Sequence, residues 1–185
     1  MKIYVLRHGI TQLNKLKIPN GQIDEPLAPE GLSDAKKAAS LIPKTITTMY
    51  ASSLLRTRQT AEAVNSKRNL PVIFQDALKE VNMGSLAGVA WENMENGLDL
   101  RKKHIALEYD YRPFGGESNK EFKKRVLNFL RKIDSKHKTE EVLLITHGGV
   151  VRLLNLLEEG NELETTQNLI LQTFNLEKIL KRYDG

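Results

Sequence analysis

Twice in this chain of 185 residues a strand-like run stops at a histidine followed by glycine. Lys2-Ile3-Tyr4-Val5-Leu6, rich in β-branched and aromatic side chains, ends in Arg7-His8-Gly9. Val142-Leu143-Leu144-Ile145, as apolar as a strand buried on both faces, ends in Thr146-His147-Gly148-Gly149. A guanidinium beside an imidazole suits an anion, and phosphate above all, because arginine offers a planar fork of donors. Gly9 would allow a sharp turn and close approach of a ligand to the backbone. In an open α/β sheet, ligands bind at the carboxyl ends of the strands, where both histidines would sit. If the two strands are neighbours, both imidazoles share one pocket. Taken alone, each histidine reads as an ordinary turn residue ending a strand, so the elements around them decide.

Those elements alternate. Glu30–Ile42 has near-helical apolar spacing, with Pro29 at a first helical position and Pro43 as a stop. Thr45–Ser53 reads as a strand, and Ser53 as the N-cap of a helix over Leu54–Asn65. Leu70–Phe74 is a third short strand. Ser118-Asn119-Lys120-Glu121 fits a capping box that opens a helix running to about Ser135. Val150–Leu157 is expected to be helical, Leu169–Phe174 a last strand and Leu176–Lys181 a closing helix or tail. Strand, helix, strand, helix, strand predicts an α/β fold: a three-layer α/β/α sandwich around a mostly parallel sheet. Residues 75–116 are the least regular part, with a helix expected over Arg101–Glu108. A long irregular segment suits a substrate-shaping role.

Length and composition fit a single domain over residues 1–185, 40% hydrophobic and 28% charged. No apolar run approaches the roughly 20 residues of a membrane helix, and no signal-peptide pattern opens the chain. With no cysteine there is no disulfide framework or thiolate metal site, and the expected location is cytoplasmic. The net charge of +5 favours anionic partners. Its scatter argues against nucleic acid, and a small phosphorylated metabolite would account for the charge equally well. No membrane partner, cofactor or metal is expected. The oligomeric state is not readable, although a dimer is compatible.

Arg7-His8-Gly9-Ile10-Thr11-Gln12-Leu13-Asn14 resembles the R-H-G-x-[ST]-x-x-N signature of the histidine phosphatase superfamily, the phosphoglycerate-mutase-like group. Ser52-Ser53-Leu54-Leu55-Arg56-Thr57-Arg58-Gln59-Thr60-Ala61 is similar to its S-x-L-x-R-x-x-Q-T-A stretch. Glu80, spaced before Gly84 and Gly88, matches its acidic motif. Gly115-Gly116-Glu117-Ser118 and Thr146-His147-Gly148-Gly149 complete a set that spans residues 1 to about 155. The resemblance implies the family's fold and five catalytic positions: His8, Arg7, Arg56, Glu80 and His147. The chemistry fits those residue types. Phosphoryl transfer needs a nucleophile, an acid for the leaving oxygen and positive charge around the equatorial oxygens. His8 is the candidate nucleophile, attacking phosphorus to give a phosphohistidine. Arg7 and Arg56 would hold phosphate and keep His8 neutral. His147 would donate to the transferring group. Glu80 would protonate the leaving oxygen and then activate water. Thr11, Asn14 and Gly148 are expected to make supporting phosphate or loop contacts.

Competitors exist for some roles: Arg58 for Arg56, and Glu92 or Glu117 for Glu80, although Glu117 is better read as a residue favoured by a helix dipole. His104 and His137 carry no motif and are expected to face solvent. Two features point to the small-phosphatase branch. Mutases of the group carry Arg-His-Tyr after the acidic Glu, whereas Glu80 is followed by Val81-Asn82-Met83. They also have a longer chain. The expected activity is therefore a metal-independent phosphomonoesterase. A cofactor-dependent phosphoglycerate mutase and a non-catalytic phosphoryl-binding protein are the alternatives.

Overall fold

The computed structural model describes residues 1–184. Five strands form one sheet: β1 (Lys2–Arg7), β2 (Ile46–Ala51), β3 (Val72–Phe74), β4 (Glu141–Thr146) and β5 (Leu171–Asn175), in the order β3-β2-β4-β1-β5. The first four are parallel, while β5 runs antiparallel against β1. The helices are α1 (Gln12–Lys15), α2 (Pro29–Ala38), α3 (Leu55–Asn65), α4 (Gly97–Ile105), α5 (Asn119–Lys136), α6 (Gly148–Glu159) and α7 (Leu176–Asp184).

The pleat divides the core. Ile3, Val5, Val142, Leu144 and Tyr50 face one side, where they pack with Phe122 and Val126 of α5, Leu154 of α6 and Ile179 of α7. Tyr4, Leu6, Leu143, Ile145 and Met49 face the other, against Ala38 of α2 and Ala61 and Val64 of α3. This is the expected three-layer sandwich, and the central pair β1–β4 is apolar on both faces because both are covered.

Several local expectations shift for physical reasons. Ser53 is not the cap of α3. Leu54 holds that position, and the first-turn amide of Leu55 is taken by the Asp24 carboxylate at 2.6 Å instead. Ser53 turns away to donate to Asp76. Helix α4 opens at Gly97, four residues before the expected Arg101, after Asn96 in a left-handed conformation (φ 53°). The capping box of α5 is present as read: Ser118 Oγ accepts from Glu121 N–H, and the Glu121 carboxylate accepts from Ser118 N–H. His137 does not face solvent. It is buried, bonded to the Tyr50 hydroxyl at 2.8 Å and to Glu140 at 2.9 Å. His104 is half-buried beside Trp91 and Tyr109, with Nδ1 3.0 Å from the Tyr111 hydroxyl. Neither burial leaves a periodic trace, since each partner lies on a distant element or beyond a turn.

Candidate active site

Because β1 and β4 pair in parallel with Arg7 opposite Thr146, the next residues, His8 and His147, emerge side by side. His8 N–H still donates to Thr146 O at 3.0 Å. The ring centroids lie 5.1 Å apart. Strand β2 ends beside them, with Ser52 N–H on Ile145 O. Three strand ends thus deliver His8, His147 and Ser52 to one place.

One hydrogen bond settles the tautomer of His8. His8 Nδ1 lies 2.7 Å from Gly9 O, a pure acceptor, so Nδ1 carries the proton and the lone pair sits on Nε2. Ser52 Oγ accepts from Leu54 N–H at 3.4 Å and lies 2.8 Å from His147 Nε2. If the Ser52 hydroxyl gives its proton to Nε2, His147 Nδ1 carries the hydrogen and is a donor. Burial, with Arg56 and Arg7 nearby, holds His8 well below its ordinary pKa of 6.5. Burial, then Arg56, His8 and Arg7, does the same to His147. Both rings are neutral at pH 7.

Arg56, at 0% exposure, donates from Nη1 to Ile23 O (2.7 Å) and from Nη2 to Gly21 O (2.8 Å). Its competitor Arg58 is exposed. Arg7 donates from Nη1 to Thr166 O and Oγ1. Burial lowers the Arg7 pKa to about 10, which still leaves it charged at neutral pH. Arg7 Nε, Arg56 Nε and His147 Nδ1 are buried and have no hydrogen-bond partner among the described residues. Buried polar nitrogens are almost always paired, so orphans on the two arginines whose charges act on His8 and on the ring beside it suit an acceptor-rich guest.

Glu80 reaches the N-terminus of α6. Its carboxylate accepts from Gly149 N–H (3.1 and 3.2 Å) and Val81 N–H (2.9 Å). A Cβ on Gly149 would lie 2.3 Å from Glu80 Oε1, so only glycine leaves room for that carboxylate. The backbone of Glu80 is pinned as well: its carbonyl accepts from Gln22 Nε2 and Arg125 Nη2, both at 2.9 Å. Glu117 serves this pinning and not a helix dipole, because it forms a two-pronged ion pair with Arg125 (2.7 and 2.9 Å). Glu92 is exposed.

The remaining candidates divide. Gly148 opens α6 between Arg7 and Thr166: a Cβ there would lie 2.8 Å from Thr166 Oγ1 and 3.6 Å from Arg7 Nε. Thr11 and Asn14 form the capping box of α1, and both bond Asn20. They hold the loop whose carbonyls grip Arg56. Gly9 is also required for a different reason than a ligand. Its Cβ would lie 2.7 Å from Gly31 O, because the turn after β1 crosses α2 at van der Waals distance.

Two participants were not marked by the sequence reading. Ser52 sits inside a quoted motif, but its bond to His147 emerges only when β2 and β4 pair. Arg152, in α6, brings Nη1 to 3.7 Å from the Cβ position of Gly148. Its one signal is a cation interrupting the apolar run Val150-Val151-Arg152-Leu153-Leu154.

The neutral rings set a pH dependence of stability. Burial brings His104 down to about 4, alongside the depressed His8 and His147. Unfolded, all three take up protons near 6.5, whereas folded they do not, so the unfolded state binds more protons below that pH. Stability should be complete above pH 7 and fall as the pH drops, by about 1.4 kcal/mol per unit for each ring. Urea unfolding at pH 7.5 and 5.5 should differ by about 4 kcal/mol. Equal stability at the two values would mean that the rings are charged in the folded protein.

Comparison with known proteins came out in one direction. A family model described as histidine phosphatase superfamily (branch 1) matches residues 3–184. The chain is 33% identical over 160 residues to the metal-independent phosphoserine phosphatase of Arabidopsis thaliana, covering 84% of this chain and 67% of that protein. It is 31% identical over 159 residues to phosphoglycerate mutase-like protein 4 of the same plant, covering 83% and 69%. The crystal structure of TTHB049 from Thermus thermophilus superposes with a TM-score of 0.78 at 29% identity, covering 94% of this chain and 92% of that one. Fold, strand-end histidines and family match agree: the chain belongs to the histidine phosphatase superfamily, branch 1.

Proposed function

We propose that this protein is a metal-independent phosphomonoesterase that works through a phosphohistidine at His8 Nε2. One observation carries the reading: the His8 imidazole, with its lone pair on Nε2, lies beside the His147 ring and under the charges of Arg56 and Arg7, and each of those three groups holds a buried nitrogen with no partner among the described residues. A phosphoryl group has the three equatorial oxygens such a cradle would hold, and preorganised donors stabilise the charge that builds on them. His8 Nε2 attacks phosphorus while the bond to the ester oxygen breaks, and Glu80 gives that oxygen its proton. Water then attacks the phosphohistidine, Glu80 takes the water's proton, and the N–P bond breaks to release phosphate. The guanidinium groups make the pocket hostile to a divalent cation, which supports metal independence. The two named relatives, a phosphoserine phosphatase and a mutase-like protein, support phosphoryl chemistry on a small metabolite. No helix among the described residues is long and apolar enough to cross a membrane, and a cysteine-free metabolite enzyme suits the cytoplasm.

The test is release of phosphate from p-nitrophenyl phosphate. Turnover should be unaffected by EDTA and blocked by vanadate. A rate lost to EDTA and restored by a divalent metal would overturn metal independence. Interconversion of phosphoglycerates that requires a bisphosphorylated primer and frees little phosphate would establish the mutase alternative.

A further inference from the structure

The connection from α6 to β5 reaches the site without entering the mechanism above. Residues 161–166 take no backbone–backbone hydrogen bond among the described residues, so side chains fix this stretch. Helix α6 holds its first half. Asn155 Nδ2 donates to Asn161 O at 2.8 Å, Arg152 Nε to Leu163 O at 3.1 Å and Arg152 Nη2 to Glu164 O at 3.4 Å. Its last residues are tied to the end of β1. Asn168 Nδ2 donates to His8 O at 2.7 Å, and Leu169 N–H donates to Arg7 O at 3.0 Å.

Thr166 sits between these two sets of anchors. It is 9% exposed, although Thr165 and Gln167 on either side of it are exposed. A threonine buried in an exposed loop needs a partner for its hydroxyl. That partner is Arg7, whose Nη1 donates both to Thr166 O and to Thr166 Oγ1, the latter at 3.2 Å. The same hydroxyl lies against the start of α6, since a Cβ on Gly148 would come within 2.8 Å of it. Arg7 Nε, by contrast, stays buried and unpartnered among the described residues. One prong of the guanidinium is therefore held by two oxygens of Thr166 while Nε is left for a guest. An arginine side chain turns about many bonds, and holding one prong removes freedom that phosphate binding would otherwise have to remove.

We propose that Thr166 is a positioning residue: it holds Arg7 Nη1 so that the remainder of the guanidinium faces the phosphoryl group. The assignment rests on the phosphomonoesterase reading. Two variants that keep different halves of the side chain test it on p-nitrophenyl phosphate. Thr166→Val keeps the shape and the backbone carbonyl but loses Oγ1. It should lower kcat/KM by about 10-fold or more, the lower end for a hydrogen bond to a charged group. Thr166→Ser loses only the methyl group and should stay close to wild type. A threonine that merely packs would reverse the order, with valine close to wild type and serine impaired. That result overturns the proposal, as do equal losses in the two variants. Thr166→Ala replaces valine if the valine variant does not fold, because alanine and serine differ by the hydroxyl alone. Calorimetric binding of inorganic phosphate gives a readout independent of turnover. Valine should weaken it, serine should not, and in an Arg7→Met background the valine substitution should change nothing further. Losses that multiply in that background would mean that Thr166 does not act through Arg7, and would also overturn the proposal. A wild-type protein that hydrolyses no ester but binds phosphate with this pattern sinks the phosphomonoesterase reading and leaves the hold on Arg7 standing.

Discussion

His8→Asn should lower phosphate release from any monoester by at least ~10⁴-fold, the scale on which nucleophile removal is felt in covalent catalysis. Asparagine is close in size and can still donate to Gly9 O, as His8 Nδ1 does at 2.7 Å. The turn should therefore survive while the Nε2 lone pair is lost. Arg7, Arg56 and His147 would still hold phosphate, so binding of inorganic phosphate should persist near the wild-type level even as turnover vanishes. Quenched incubation with labelled substrate should trap an acid-labile phosphoenzyme in the wild-type protein and none in the variant. A variant within tenfold of wild type would mean that His8 is a ligand and water attacks the ester directly.

Glu80→Gln should cost about 10²–10⁴-fold in turnover, the usual yield of general acid–base catalysis. One amide oxygen can go on accepting from Gly149 N–H and Val81 N–H, so the α6 terminus keeps its partner. The effect should split by leaving group. An alkyl phosphate needs its oxygen protonated, so phosphoenzyme formation itself slows and nothing accumulates. p-Nitrophenolate departs without help, so the variant should show a burst of one equivalent of p-nitrophenol, then slow hydrolysis of a phosphohistidine that has lost its base. Equal losses on both ester types with no burst would reduce Glu80 to a strut beneath α6.

The two histidines were legible because strand signals are local. An apolar run ending in His-Gly is readable without knowing the fold, and parallel pairing of β1 with β4 does the rest. Arg56 was legible through its motif register, not through any property separating it from Arg58. The burial that distinguishes them comes from the loop of Gly21 and Ile23 folding over one and missing the other. Contacts between distant residues were not legible. Nothing near Glu117 in sequence announces Arg125, nor does anything near Ser53 announce that Asp24 will take the α3 amide. Thr11 and Asn14 show the limit of a motif: their types and spacing suit phosphate and suit a helix cap equally, and the bonds they make are those of a cap. Arg152 was overlooked because a lone arginine on an apolar helix usually snorkels to solvent, and only the carbonyls of Leu163 and Glu164 hold this one inward.

The three unpartnered nitrogens, on Arg7, Arg56 and His147, also bear on how the protein survives in a cell. A buried polar nitrogen left unmatched costs about 1–3 kcal/mol, a large share of the roughly 5–15 kcal/mol that holds a typical domain together. Any oxyanion that settles among them removes that penalty only from the folded chain, so guest and fold are thermodynamically linked. Metabolite supply would then act as a folding aid. Without such a guest, the same chain would open more often and meet proteases sooner.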